Sequence, residues 1–241
     1  MGLLFRQNVS EALFGNTVVD TGNWLEVFSA CLGRSAAFRA ACEKHVIKGR
    51  AGEPDFRQGI ISFGGDEYQM KLLGNESKTT GTWIWAWEQP EGFGDDLLSL
   101  ARRTRALGKK WRLEPLTVPK AALSRTVNGC TLATVACAAD GRSLCWHRLP
   151  HSEGATYVAF ICSNKKALAP VGAEAFKSIA IQCLRRDQAD HGIFVRCFLH
   201  QNGTPFETLK SGILAHFDRD VLISTDISAG TERVTRIEVR S

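Results

Sequence analysis

No stretch of the sequence approaches the roughly 20 consecutive apolar residues that a membrane-spanning helix needs, so no membrane role is expected. Proline is scarce, with 7 in 241 residues, while 44% of the chain is apolar; this excludes a disordered scaffold and implies a folded globule. An excess of one charge is missing too. Against 30 Lys and Arg stand 25 Asp and Glu, a net +5, too mild to signal nucleic-acid binding. Phosphate-binding glycine loops, G-x-S-x-G, H-E-x-x-H and C-x-x-C are all absent, so neither a cofactor nor a metal is expected. Residues 1–8 are apolar over too few positions for a signal-peptide core, and Arg6 stands where a myristoylation signal would want Ser or Thr. A cytoplasmic location follows as the expectation.

The eight cysteines, from Cys31 to Cys197, are spread through apolar stretches. In a mid-sized chain read as intracellular they are expected to be buried free thiols.

Periodicity then organises the chain. Trp24, Phe28, Cys31, Ser35, Phe38, Cys42 and His45 recur at steps of four and three and predict a helix over 23–48. From Asp55 the period becomes two, in 56–63 and 66–73 around Gly64-Gly65, which predicts a β-hairpin; 79–88 continues the pattern as a third strand. A helix is predicted over 93–107, with Asp95 and Asp96 in its first turn and Lys109 and Lys110 after its last. Pro119 predicts the start of another helix reaching Ala138. Strands are expected at 144–148 and 156–162, a linker at 163–172, and a helix at 173–186, although Ile179, Ile181 and Cys183 also fit a strand. Five short strands should complete the chain, at 193–199, 206–210, 213–217, 221–227 and 233–239, with Asn202-Gly203 as a hairpin turn. Helices interspersed with antiparallel hairpins, without βαβ regularity, make the fold class α+β, with antiparallel β-meanders packed against several helices. The domain reading is an α+β region over 1–165 and a helix with hairpins over 166–241, packed as one unit.

The stretch Gly81-Thr82-Trp83-Ile84-Trp85-Ala86-Trp87-Glu88, preceded by Gly59-Ile60-Ile61-Ser62-Phe63 and followed by the 93–107 helix, resembles a bacterial family of uncharacterised domains marked by a G-x-W-x-W-x-W strand. The likeness covers about 27–166. It implies a shared fold and a bacterial cytosolic source and brings no catalytic residue.

Trp83, Trp85 and Trp87 would share one face of a strand. Together they carry on the order of 600 Å² of aromatic surface, as much as the largest apolar patch a soluble monomer leaves uncovered. Core packing is the first reading, and a stacking wall or partner-binding surface the second. Arg102, Arg103, Arg105, Lys109, Lys110 and Arg112 fall in eleven residues with no acid among them; they form either a solvated helix end or a site for phosphate or an acidic partner. Cys145, His147 and His151 lie close in sequence without accompanying metal motifs, and Asp218-Arg219-Asp220 reads as a hairpin turn. Two functions remain open. One is a non-enzymatic protein that binds a neutral or acidic protein partner, of the immunity or adaptor kind; its candidate residues are Trp83, Trp85, Trp87, Arg102, Arg103, Arg105, Lys109 and Lys110. The other is a small-molecule binder or enzyme with a pocket between the tryptophan sheet and its helices.

Overall fold

The computed structural model describes residues 9–88, 91–141, 143–228 and 231–240; the apolar start at 1–8 lies outside them. Helices and antiparallel sheets alternate as α+β. The chain divides into two compact units, one of 9–20, 25–37 and 169–240, the other of 21–24 and 38–168.

Helix α1 spans Val9–Phe14 and α2 Trp24–Cys42. The latter ends in a π turn, Glu43–Ile47, closed by left-handed Lys48, whose N–H donates to the Glu43 carbonyl. The 38–168 unit is built on a seven-stranded sheet: β1 (Gly52–Asp55), β2 (Ile60–Phe63), β3 (Asp66–Ser77), β4 (Thr82–Trp85), β5 (Lys120–Ala122), β6 (Leu144–His151) and β7 (Gly154–Ile161). β3 organises it. At 12 residues it is long enough to pair with β2 through 66–69, with β4 through 74–77, and with β7 along 70–77. The sheet is accompanied by α3 (Asp95–Trp111), α4 (Gly129–Ala139) and α5 (Lys165–Leu168). In the other unit α6 (Ala173–Arg186) and α7 (His191–Asn202) precede a four-stranded antiparallel sheet of β8 (Phe206–Leu209), β9 (Gly212–His216), β10 (Asp220–Ser228) and β11 (Thr231–Val239). Phe176, Phe194 and Phe198 form its fully buried aromatic centre, their rings 5.0 and 5.9 Å apart in sequence order of contact through Phe198.

Three expectations are corrected. The helix expected from Pro119 begins only at Gly129, because Asn128 caps it: the Asn128 side chain accepts from Thr131 N–H and the Thr131 hydroxyl accepts from Asn128 N–H. Lys120–Ala122 instead pairs with β4. The strand expected at 193–199 is helix α7, whose first turn is capped by Asp190, and Asn202-Gly203 is its C-terminus, with Gly203 left-handed at φ 71°. The tryptophan strand stops at Trp85; Ala86–Glu88 is a 3-10 turn, so Trp87 leaves the alternation. The helices at 93–107 and 173–186 and the strands of the tail from Phe206 lie close to where periodicity placed them.

Candidate functional site

Trp83 and Trp85 face the same way because they are two apart on a strand, and both are wholly buried. Their rings meet edge-on at 5.3 Å, and Trp83 meets Tyr157 at the same distance. The Trp85 indole N–H donates to the Pro115 carbonyl at 3.0 Å. Gly74 makes room for this arrangement, since a Cβ there would sit 2.6 Å from the Trp83 ring. These two indoles are a core wall, with their faces covered by protein.

Trp87 belongs to a different surface. It lies in the turn against which α3 packs, and the Arg105 guanidinium carbon stands 4.0 Å from its ring centroid. Among the described residues neither the Trp87 Nε1 donor nor the Arg105 Nε donor has a hydrogen-bond acceptor, although both atoms are buried, and the same holds for Trp83 Nε1 in the core wall. Along α3 the other cations divide into two sets. Arg102 is paired with Asp95 at 2.6 Å and Arg103 with Asp140 at 2.7 Å. Burial pushes the Asp140 carboxyl above the usual carboxylate range, and Arg103 opposes that shift. Lys109, Lys110 and Arg112 are exposed and make no ion pair among the described residues. Arg105 and Lys109 are four apart on α3 and share one face of it, whereas Arg112 follows the helix as its left-handed C-cap at φ 56°. Of the residues singled out in the sequence, the structure therefore brings Arg105 onto Trp87 and leaves Lys109 and Lys110 exposed in the last turn of the same helix. It neutralises Arg102 and Arg103 and encloses Trp83 and Trp85.

A polar constellation that sequence reasoning missed sits at the start of α4. The Glu76 carboxylate accepts from the Gly129 N–H at 3.0 Å and from the Tyr157 hydroxyl at 3.3 Å, while the exposed Cys130 thiol lies 3.5 Å from that hydroxyl. Burial raises the Tyr157 phenol above its usual value, with the Cys130 contact adding to it. Gly129 is required here, because a Cβ would meet the Tyr157 ring at 2.5 Å and the Glu76 carboxylate at 2.6 Å. The signal was Asn128-x-x-Thr131, a capping pattern hidden by the earlier helix start expected at Pro119.

The residues weighed for metal binding are separated in role. Cys145 is buried, and His147 stacks edge-on against Phe63 at 5.2 Å, where burial lowers its pKa. Among the described residues no group of three His, Cys, Asp or Glu side chains is placed to hold a metal ion. Contact with Cys145 and burial hold the Cys42 thiol well above its ordinary value. No helix among the described residues is long and apolar enough to cross a membrane.

The unit containing 169–240 has an open cleft of about 690 Å³ between the 14–17 segment, α7 and β8, a size typical of ligand sites. Arg196 and His200, one helical turn apart, are the charged or titratable groups on its lining. Arg196 holds Glu232 through two bonds of 2.7 and 3.2 Å, and His200 Nε2 lies 3.1 Å from the Glu11 carbonyl oxygen.

The model of a family of unknown function, DUF6882, matches residues 25–163. No curated protein and no solved structure matches the chain.

Proposed function

The chain belongs to that family of unknown function, and from this premise we propose that the protein is a non-enzymatic binding protein of the bacterial cytoplasm, of the immunity or adaptor kind, that engages an acidic protein partner through α3. The observation that supports this reading is the exposed pair Lys109 and Lys110, without an ion pair among the described residues, on the same helix as the Arg105 guanidinium stacked on Trp87. Tryptophan and arginine are residue types enriched at the centres of protein interfaces, and exposed ammonium groups beside them steer an acidic partner.

The experiment is quantitative co-purification from the native host of the protein and its Lys109→Glu/Lys110→Glu variant, coupled to binding with the product of the neighbouring gene. Loss of the partner by about tenfold or more, with a steeper salt dependence in the parent than in the variant, is the expected result. Equal recovery on both forms, or recovery of the protein alone, would remove the reading.

A further inference from the structure

The cleft of about 690 Å³ in the unit containing 169–240 is lined without uncompensated charge. No Asp, Glu or Lys stands on its lining among the described residues. The Arg196 guanidinium is committed to Glu232 through two bonds, and those bonds hold the Glu232 carboxyl below the usual carboxylate range, so the pair is ionised and its charges cancel. His200 Nε2 lies 3.1 Å from the Glu11 carbonyl oxygen. A carbonyl only accepts, so this nitrogen carries a proton, and the neutral ring already meets that requirement. Hydrogen-bonding capacity, by contrast, is plentiful. Thr204 is only 8% exposed and lines the cleft. Its hydroxyl oxygen accepts from the Asn202 side-chain N–H at 2.8 Å, which leaves the hydroxyl proton to give, and no acceptor takes it among the described residues. Arg196 keeps the N–H groups that Glu232 does not use, in an orientation fixed by the pair. Asn16 and Thr208 add an exposed amide and an exposed hydroxyl, and half-buried Phe206 adds an apolar side.

We propose that this cleft binds an uncharged sugar, with the ring laid on Phe206 and its hydroxyls exchanging hydrogen bonds with Thr204, Arg196, Asn16 and Thr208. The class follows by elimination on physical grounds. A charged ligand would give up its hydration with no unpaired opposite charge to meet it, since Arg196 already has its carboxylate. A wholly apolar ligand would strand the Thr204 hydroxyl proton and the remaining Arg196 donors, which a ligand hydroxyl satisfies. A flat heteroaromatic ring sandwiched between side chains would need two open walls, whereas Phe14, the other aromatic residue on the lining, is only 5% exposed. What remains is a neutral molecule that combines one apolar face with many groups able both to donate and to accept. Short hydroxyl and amide side chains around a single partly exposed ring are complementary to that, and the volume accepts a ligand of this size. This site lies outside α3 and does not depend on the protein partner inferred for that helix.

The test is an amide NMR titration of the full chain with four probes, the methyl glycosides of glucose, galactose, mannose and N-acetylglucosamine. Saturable shifts at Asn16, Thr204, Phe206 and Thr208 are expected for at least one of them, with a dissociation constant on the order of 1 mM. The uronate and 6-amino-6-deoxy forms of the same ring, which add one charge of either sign, should bind about tenfold more weakly or worse. Thr204→Val keeps the shape of the side chain and removes its proton donor, and should weaken the sugar by about fivefold or more. Should that variant fold poorly, Asn16→Ala, at an exposed position, should weaken it in the same direction while leaving the thermal melt unchanged. The proposal is overturned if none of the four glycosides saturates up to about 100 mM, or if parent and variants bind equally. It is also overturned if the uronate binds more tightly than the neutral ring, which would make this an anion site, or if uridine outcompetes every glycoside, which would make it a site for a base. Charge reversal at Lys109 and Lys110 leaves the titration unchanged, which separates its outcome from that of the α3 face.

Discussion

Two arginines lie on tryptophans within the 38–168 unit, and the two stacks are completed differently. Arg39 stands 3.6 Å from the Trp146 centroid, and the Trp146 indole N–H donates to the Thr134 hydroxyl at 3.1 Å. Arg105 stands 4.0 Å from the Trp87 centroid, but the Trp87 and Arg105 donors beneath the surface meet no acceptor. The two indoles are almost equally buried, at 5% and 8% exposed, so burial does not distinguish them. Hydrogen-bond closure does. A buried donor without a partner costs about 1–3 kcal/mol; the Trp87 stack carries that cost, as does the Trp83 indole in the core, and the Trp146 stack does not.

The largest effect bounds the comparison from the side of the core. Trp85→Ala removes a wholly buried indole and leaves the Pro115 carbonyl without its donor; a loss of about 3–5 kcal/mol is expected. Thermal unfolding should show a drop of about 10 °C for a chain of this size. An unchanged melt would break the assignment of Trp83 and Trp85 to the core and return them to the candidate surface. Next in size is Thr134→Val, which strands the Trp146 N–H and converts the closed stack into the open kind. It should cost about 1–3 kcal/mol, read as a lower urea midpoint with an unchanged slope.

Much of this contrast was invisible before the fold was known. Long amphipathic helices and alternating strands could be read because burial imposes their period: α2, α3, α6, β6, β7 and the β8 to β11 tail lie near their expected places. Ile193 to Leu199 failed because a short apolar run fits a buried helix as well as a strand, and in α7 Phe194, Val195, Cys197, Phe198 and Leu199 are all buried. Asn202-Gly203 serves helix ends as well as hairpins, since both need a left-handed residue. For the site, residue types could be read but pairings could not. Asp140, which neutralises Arg103, is 37 positions away, and the contact between Arg105 and Trp87 arises only because the chain leaves the strand at Ala86 and packs that turn against α3.

Acid should act on the closed stack through its neighbour His147. Burial lowers the His147 pKa, and the charge of Arg39 lowers it further while Glu43 opposes. With the folded value below the unfolded one, the unfolded chain binds the proton more readily. This group's contribution is therefore complete above the ordinary histidine value of about 6.5 and is lost as pH falls below it. Urea midpoints measured from pH 7 to pH 5 should decline less in His147→Phe than in the parent. An identical slope in both would show that His147 carries no such linkage.

The smallest effect on stability is the most informative about function. Trp87→Phe keeps an aromatic ring beneath Arg105 and deletes a donor that satisfies nothing, so its cost is confined to the volume lost from a buried site, about 1 kcal/mol. Trp146→Phe deletes a donor that is used, and it leaves the Thr134 hydroxyl without that bond, so it should be measurably less stable. If the stack serves a partner, Trp87→Phe weakens co-purification by more than its small loss of stability accounts for, because the narrower ring supports the Arg105 guanidinium less well. A stable Trp87→Phe with undiminished partner recovery would reduce the open stack to packing, and the case for α3 would then rest on Lys109 and Lys110 alone.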